Sequence, residues 1–269
     1  MAIRSLSRLA GQGLVLATAI LTLSGCDVMV GMGGFGGKEI AKNQWTKTFT
    51  LQAGGQLEIV NVNGAIQAEA SDGAVVEVVA DRSARATTME AARDLLQRIE
   101  IREETSAGGV RLVVKPPAGL GGGQTRVEFK VKVPRTVAVR LVNSNGRITV
   151  TGAQGPVRAE VTNGGVIGRG LGGAVDANST NGSISIDVDT ISPDGIRLGT
   201  TNGGVQLTLP AGARADLRAR CVNGGISVSN LTLEHGAEQS RRRVDAKLNG
   251  GGPLIDLGTT NGGIKITGK

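Results

Sequence analysis

The sequence predicts an all-β protein, a parallel β-solenoid with coils of about 18–21 residues and one N-terminal amphipathic helix. Asn-Gly pairs recur from Asn145 onward at steps of 18, 18, 21, 21 and 38 residues. Apolar residues follow each pair at the same offsets, and the period-2 alternation before it is typical of strands with one buried face. Self-similarity at a nearly fixed period indicates a repeat architecture.

The predicted structural corners of these coils are the asparagines of the Asn-Gly pairs. Ile or Val stands three residues after each of them, and Ile66 after Asn63 shows the same offset in a separated first copy. The corners are Asn63, Asn145, Asn163, Asn181, Asn202, Asn223 and Asn261. In stacked coils we expect these asparagines to form a ladder along the axis, with Asn261 at its terminal position.

An antiparallel β meander or sandwich is the alternative, because Asn-Gly is also the strongest two-residue hairpin signal. We favour the solenoid, since stacked coils need the same corner in every unit and a meander does not. Both Asn and Gly would then take left-handed backbone angles at the corner. Three Phe, one Trp and no Tyr suit a thin interior of aliphatic rows better than a globular core.

Residues 1–25 are predicted to be a lipoprotein signal peptide. Arg4 and Arg8 precede a short apolar stretch, and the sequence LSGC at 23–26 matches the bacterial lipobox. The apolar stretch is too short for a comfortable membrane span. The motif resembles substrates of the lipoprotein signal peptidase, which implies that Cys26 becomes an acylated N-terminus. Several acyl chains would anchor it in membrane lipid.

Residues 26–44 are predicted to be a Gly-rich tether, and 45–269 a single β-strand-repeat domain. The N-terminal part of that domain, 45–133, contains the helix, and 134–269 contain the regular coils. The stretch 229–243 is an insertion or long hairpin, and 250–252 form a tight reversal before the last coil. We interpret the final 38-residue step as close to two coils.

The helix is predicted over residues 87–98, where Thr87 and Glu90 have the spacing of a capping box. Its apolar face consists of Met89, Ala92, Leu95, Leu96 and Ile99. We expect this face to cover the first coils, because the open end of a solenoid exposes backbone groups that invite aggregation.

No catalytic, cofactor-binding or metal-binding residue is predicted. Asp187 and Asp189 lie two apart on one strand, and such a pair can act as acid and base or bind a cation, but we favour a solvated face. The single histidine, His235, lies in a polar loop without suitable partners. Arg241–Arg243 can dock phosphate or an acidic sugar, although a solvated loop is the simpler interpretation. Cys221 is interpreted as a small packed residue.

The net charge of +7 falls to about +5 when the signal peptide with its two arginines is removed. This surplus favours anionic lipid, polysaccharide or phosphate-rich polymers as partners. Nucleic acid is not expected, because aromatic stacking platforms are missing.

The ordered series of corners resembles the bacterial "putative adhesin" β-strand-repeat family of unknown function, also called the toastrack domain. The likeness rests on segments such as VNSNGRITVTG, STNGSISIDV and TTNGGIKI, on the helix, on the VKVP at 131–134 and on the GGGP at 250–253. The resemblance covers residues 46–268 and implies a β-helix-like stack without established catalytic residues. It also implies a cell-surface or envelope-stress setting.

We therefore expect a non-enzymatic, lipid-anchored envelope protein, exported to the periplasmic side or the cell surface. Its solenoid would act as an adhesion, binding or scaffolding surface for an envelope protein or polysaccharide. The alternative is a polysaccharide-active β-helix enzyme. Such enzymes need clustered charged groups and aromatic sugar platforms, and this sequence offers few of either.

Overall fold

A computed structural model describes residues 38–51, 54–106, 108–119, 122–234 and 238–269, with the backbone alone at 238–239. The predicted signal peptide, Cys26, the tether up to residue 37 and His235 lie outside these residues. The described chain is all-β with one short helix, which confirms the predicted class. Its strands form two mixed sheets around a continuous apolar core.

The N-terminal part contains the helix and eight strands. They are β1 (Glu39–Thr50), β2 (Gln56–Asn63), β3 (Ile66–Ser71), β4 (Val75–Ala86), α1 (Met89–Gln97), β5 (Glu100–Ser106), β6 (Gly109–Lys115), β7 (Gln124–Pro134) and β8 (Ala138–Asn145). The central coils follow as β9 (Ile148–Thr151), β10 (Val157–Asn163), β11 (Val166–Leu171), β12 (Val175–Asn181), β13 (Ile184–Val188), β14 (Ile196–Asn202) and β15 (Val205–Leu209). The remaining strands are β16 (Ala215–Asn223), β17 (Ile226–Ser229), β18 (Glu238–Gln239), β19 (Arg243–Leu248), β20 (Leu254–Asn261) and β21 (Ile264–Gly268).

We name the sheets A and B. Sheet A has the spatial order β1-β4-β7-β3-β9-β11-β13-β15-β21-β17, and sheet B has the order β18-β19-β16-β20-β14-β12-β10-β8-β2-β6-β5. A coil is a strand of sheet B, a corner and a strand of sheet A. Neighbouring coils pair in parallel and in register, with Asn163 opposite Asn145 and Asn181. The corner-bearing units are therefore not arranged as an antiparallel meander.

All predicted corner asparagines form one ladder. Their order along the stack is Asn63, Asn145, Asn163, Asn181, Asn202, Asn261 and Asn223, and from Asn145 onward each side-chain amide nitrogen donates to the amide oxygen of the preceding asparagine at 2.7–2.9 Å. The backbone ladder continues through the corners as well, since Gly164 N–H donates to the Asn181 carbonyl at 2.9 Å. Side-chain and main-chain hydrogen bonds thus join every pair of adjacent corners.

The expected left-handed angles occur at the glycines alone. Gly146 and Gly164 have φ of +131° and +157°, and none of the corner asparagines has a positive φ. The asparagine keeps an extended backbone because it is the last residue of a strand, and the glycine makes the bend. A Cβ at Gly164 would lie 2.2 Å from the Gly146 carbonyl oxygen, so close stacking also requires glycine there.

The expected terminal position of Asn261 is wrong. Strand β20 lies between β14 and β16, so the terminal asparagine of the ladder is Asn223. The 38-residue step is one coil plus an excursion, because β19 pairs antiparallel with the outer edge of β16. A tight turn at 249–253 then crosses the start of β16, where Asn249 Nδ2 donates to the Ala213 carbonyl at 2.9 Å. This confirms the predicted reversal.

The opposite end of the stack is closed by β1, β4, β5 and α1. Sheet A ends in the antiparallel pair of β1 and β4, and sheet B ends in β5 on β6. Residues 39–44, predicted to be tether, belong to β1, since the pairing with β4 begins at Glu39 opposite Ala86 and Ala41 is buried. The predicted domain boundary is therefore too late in the sequence.

The helix buries the predicted face through Ala92, Leu95 and Leu96. Its N-cap is Thr88 rather than Thr87, because the Thr88 hydroxyl accepts from the Ala91 N–H at 3.2 Å, the usual reach from N-cap to third helical residue. The helix packs on β1 and β4 and not on the first coils. It therefore covers the two strands that end sheet A on this side of the stack.

Candidate binding surface

The outer face of sheet B presents one residue type repeatedly beside the asparagine ladder. Four exposed threonines stand immediately before the corner asparagines of neighbouring strands: Thr162, Thr180, Thr201 and Thr260. We call them the threonine row. Because adjacent strands lie about 4.8 Å apart, the row offers hydroxyl groups at a regular spacing along the stack axis.

Two glycines open a gap beside the threonine row. Gly199 and Gly258 are register partners on β14 and β20, between Asn178 on β12 and Arg220 on β16. A Cβ added at Gly258 would meet no atom within 4 Å, so the floor here is open. The gap is part of a shallow, open groove of about 1070 Å³ that reaches from β8 to β16. We call it the sheet B groove.

Arginines form the wall of the groove at the β16 end. The carboxylate oxygens of Asp245 lie 2.6 Å from the guanidinium group of Arg243, 3.5 Å from that of Arg218 and 3.9 Å from that of Arg220. The hydrogen bond from Arg243, followed by the charges of Arg243, Arg220 and Arg218, holds the pKa of Asp245 below its ordinary value. One carboxylate shared by three guanidinium groups leaves a positive surplus, and Arg242 also lines the groove.

The opposite end of the outer face is electrostatically balanced. Arg140 contacts Glu58 and also Glu160 at 3.2 Å, while Arg158 donates to Glu160 at 2.8 Å and lies 4.0 Å from Asp176. Each of these arginines therefore has at least one carboxylate within about 4 Å. Such exposed pairs contribute little stability individually, but they cancel the charge, so the positive potential is concentrated at the β16 end.

The structure gives Asp187 and Asp189 a shared partner. Lys269 Nζ donates to both carboxylates, at 2.9 Å in the case of Asp189. The hydrogen bonds to Asp187 and Asp189 raise the pKa of Lys269. The two carboxylates are thus engaged by one ammonium group, and among the described residues no cluster of three His, Cys, Asp or Glu could hold a metal ion.

Cys221 belongs to an inward column of small and polar residues on sheet B, as predicted. It is 6% exposed, and its thiol lies 3.9 Å from the Arg241 carbonyl. In the same column Ser179 and Thr200 donate to glycine carbonyls of the adjacent corner, at 2.9 and 2.8 Å. The column therefore stabilises the corners from within, which is a structural role.

The predicted arginine run is split between two places: Arg241 and Arg242 lie in the segment before β19, and Arg243 is the first residue of β19. The backbone carbonyls of Arg241 and Arg242 accept from the N–H groups of Ile226 and Cys221 at 2.9 and 3.0 Å. This segment therefore covers the coil formed by β16 and β17. Sequence reasoning missed Arg218 and Arg220 as members of the same basic cluster. They are more than 20 residues away in sequence, and only the antiparallel pairing of β16 with β19 brings them to Arg243.

Parallel in-register strands joined by an asparagine ladder define a β-strand-repeat protein. The chain belongs to the Toastrack DUF4097 family, whose model matches residues 52–267. This confirms the resemblance inferred from the sequence. No curated protein matches the chain. Among the described residues, no helix is long and apolar enough to cross a membrane.

Solved structures of three bacterial proteins are similar to this chain. A putative cell adhesion protein from Clostridium sporogenes is 14% identical with a TM-score of 0.42, over 85% of this chain and 100% of that one. A putative adhesin from Bacteroides fragilis is 11% identical with a TM-score of 0.36, over 83% and 97%. A putative lipid binding protein from Parabacteroides distasonis is 11% identical with a TM-score of 0.24, over 83% and 96%.

Proposed function

We propose that this protein is an exported, lipid-anchored protein of the bacterial cell envelope. Its stacked coils would serve as one β-solenoid scaffold that carries a non-catalytic adhesion or binding surface. The observation that carries the proposal is the sheet B groove, which extends across the parallel coils from β8 to β16 on a single face. A surface of this kind suits an extended partner more than a small substrate.

The rigidity of the surface supports a binding role. Every corner is joined to the next by a side-chain and a backbone hydrogen bond, so the threonine row is held at fixed spacing. A preorganised surface loses little conformational entropy when a partner binds. Catalysis needs a nucleophile or an acid–base pair that is available to substrate, whereas Asp187 and Asp189 are both engaged by Lys269.

The lipobox at 23–26 supports the location. Acylation at Cys26 would attach the chain to membrane lipid, and residues 27–38 would link that anchor to β1 at the closed end of the stack. The groove, which begins at β8, would then lie farther along the stack from the anchor than β1. By its family resemblance, the protein would also act in the response to envelope stress.

Two measurements test this proposal. Mass spectrometry of the membrane-extracted protein should find an acylated N-terminal Cys26 in the wild type and an uncleaved, unacylated chain in Cys26→Ala. Pull-down of the tagged lipoprotein from native envelopes should recover a polysaccharide or an envelope protein. An N-terminus without acyl mass would refute the anchor, and turnover of an envelope polysaccharide by the purified protein would refute the non-catalytic role.

A further inference from the structure

The basic end of the sheet B groove has a charge excess that the fold itself does not require. Four arginines on or beside the outer face (Arg218, Arg220, Arg242 and Arg243) stand against Asp245 and Glu238, the register partner of Asp245 on β18. Asp245 is already shared by three of these arginines. Like charges gathered on one surface repel each other and are therefore expected where an anion binds.

The groove also has the dimensions of a site for a polymer. It involves β8, β10, β12, β14, β20 and β16, which at about 4.8 Å between strands corresponds to roughly 24 Å. The threonine row and Asn178 provide neutral hydrogen-bonding groups, Arg158 and Glu160 form an ion pair on β10, and Arg220, Arg242 and Arg243 line the β16 end. A ligand that fits must therefore offer hydroxyl groups along its length and negative charge at the β16 end.

We propose that the sheet B groove binds an extended acidic polysaccharide, with its hydroxyl groups on the threonine row and its carboxylates or phosphates on Arg220 and Arg242. This inference rests on the proposed binding function and adds the ligand class and its position. Guanidinium groups bind such anions through paired hydrogen bonds. Nucleic acid fits less well, because no aromatic side chain lines the described groove and bases need such platforms.

Isothermal titration of the full-length lipoprotein in neutral detergent tests the proposal directly. The probes are linear polyuronate oligosaccharides of increasing length, the uronate monomer, a neutral glucan of matched length and inorganic phosphate. We expect affinity to rise with polyuronate length until the groove is filled, and to fall with added salt because exposed charges are screened. The monomer, phosphate and neutral glucan should bind weakly.

A matched pair of double variants locates the site. R220Q/R242Q should weaken polyuronate binding by about tenfold or more, because hydrogen bonds to charged groups are lost. The control R147Q/R169Q removes the same charge from exposed positions that do not line the groove, one in the corner before β9 and one on β11 of sheet A, and we expect less than about a twofold change from long-range charge alone. Thr180→Val with Thr201→Val keeps β-branched side chains but removes two hydroxyls, and should cost about threefold.

Several results would overturn the proposal. These are equal losses in the two arginine pairs, monomer or phosphate binding as tight as the longest oligosaccharide, and no polyuronate binding by a folded wild type. Competition by phosphatidylglycerol in mixed micelles that equals competition by polyuronate would instead make the groove a headgroup site. If R220Q/R242Q still recovers the wild-type partners from envelopes, the polysaccharide inference fails and the broader binding function stands.

Discussion

The asparagine ladder gives the most direct test of how the coils are held together. Asn181→Ala removes two hydrogen bonds, from Asn181 Nδ2 to Asn163 Oδ1 at 2.9 Å and from Asn202 Nδ2 to Asn181 Oδ1 at 2.8 Å. The backbone of Asn181 is extended, since its φ is not positive, so alanine fits the corner without strain. The change therefore isolates the side-chain amide.

The magnitude follows from the number of bonds lost. A net hydrogen bond contributes about 0.5–1.5 kcal/mol, and exposed amides lie at the low end, so we expect Asn181→Ala to reduce the free energy of unfolding by about 1–2 kcal/mol. Asn223 has a neighbour on one side only and makes a single bond, to Asn261 at 2.8 Å. Asn223→Ala should therefore cost about half as much, roughly 0.5–1 kcal/mol.

Equilibrium unfolding in urea of the full-length variants measures both losses. Thr180→Ala is the control, because Thr180 is an exposed neighbour of the corner on the same strand, and exposed changes usually stay within about 0.5 kcal/mol. Equal losses at Asn181 and Asn223 would refute the stacked ladder, as would a loss at Asn181 no larger than at Thr180. A greater loss at Asn223 would contradict its terminal position.

Further predictions concern burial, corner geometry and acid stability. Ile184→Asp should lower the free energy of unfolding by about 4 kcal/mol in urea melts, because Ile184 is fully buried. The preceding residue, Ser183, is exposed, so Ser183→Asp should lower it by about 0.5 kcal/mol or less. Similar losses at the two positions would disprove the assigned faces. Gly164→Ala should lower the free energy of unfolding by about 3 kcal/mol or more, because the added Cβ is strained at this φ and clashes with the Gly146 carbonyl. Gly258→Ala has open space for its Cβ and should be neutral or slightly stabilising. The melting temperatures of the two variants test this difference. The lowered pKa of Asp245 means that its ion contacts stabilise the folded state above its unfolded pKa and are lost as pH falls through the folded pKa. Hydrogen-exchange protection factors in β19 should therefore decrease below about pH 4, and the same decrease in Asp245→Asn would exclude this carboxylate.

The sequence was sufficient for features that repeat locally. Period-2 alternation assigns the inward faces, because a strand reverses its side chains at every residue, and Ile66, Ile148 and Ile184 are all fully buried as expected. Recurrence of the same Asn-Gly corner predicted the ladder, since identical units stack with like residues in contact. The apolar face of α1 followed from its helical spacing in the same way.

Features that depend on sheet edges were decided by the tertiary structure. The coils β16–β17 and β20–β21 have apolar residues at the same positions relative to the Asn-Gly corner, so the sequence pattern allows either to pair with β14. The order is set by β19, which pairs with the outer edge of β16, and by the turn that returns the chain to its inner edge. For this reason Asn223 rather than Asn261 ends the ladder.

The same long-range pairing created the basic end of the groove. Arg218 and Arg220 on β16 meet Arg243 at Asp245 only because β19 lies beside them. The residues of β1 before Trp45 likewise became strand rather than tether because β4 offered a matching edge. Local pattern thus fixes which side of a strand faces the core, and the competition among open sheet edges fixes which strands become neighbours.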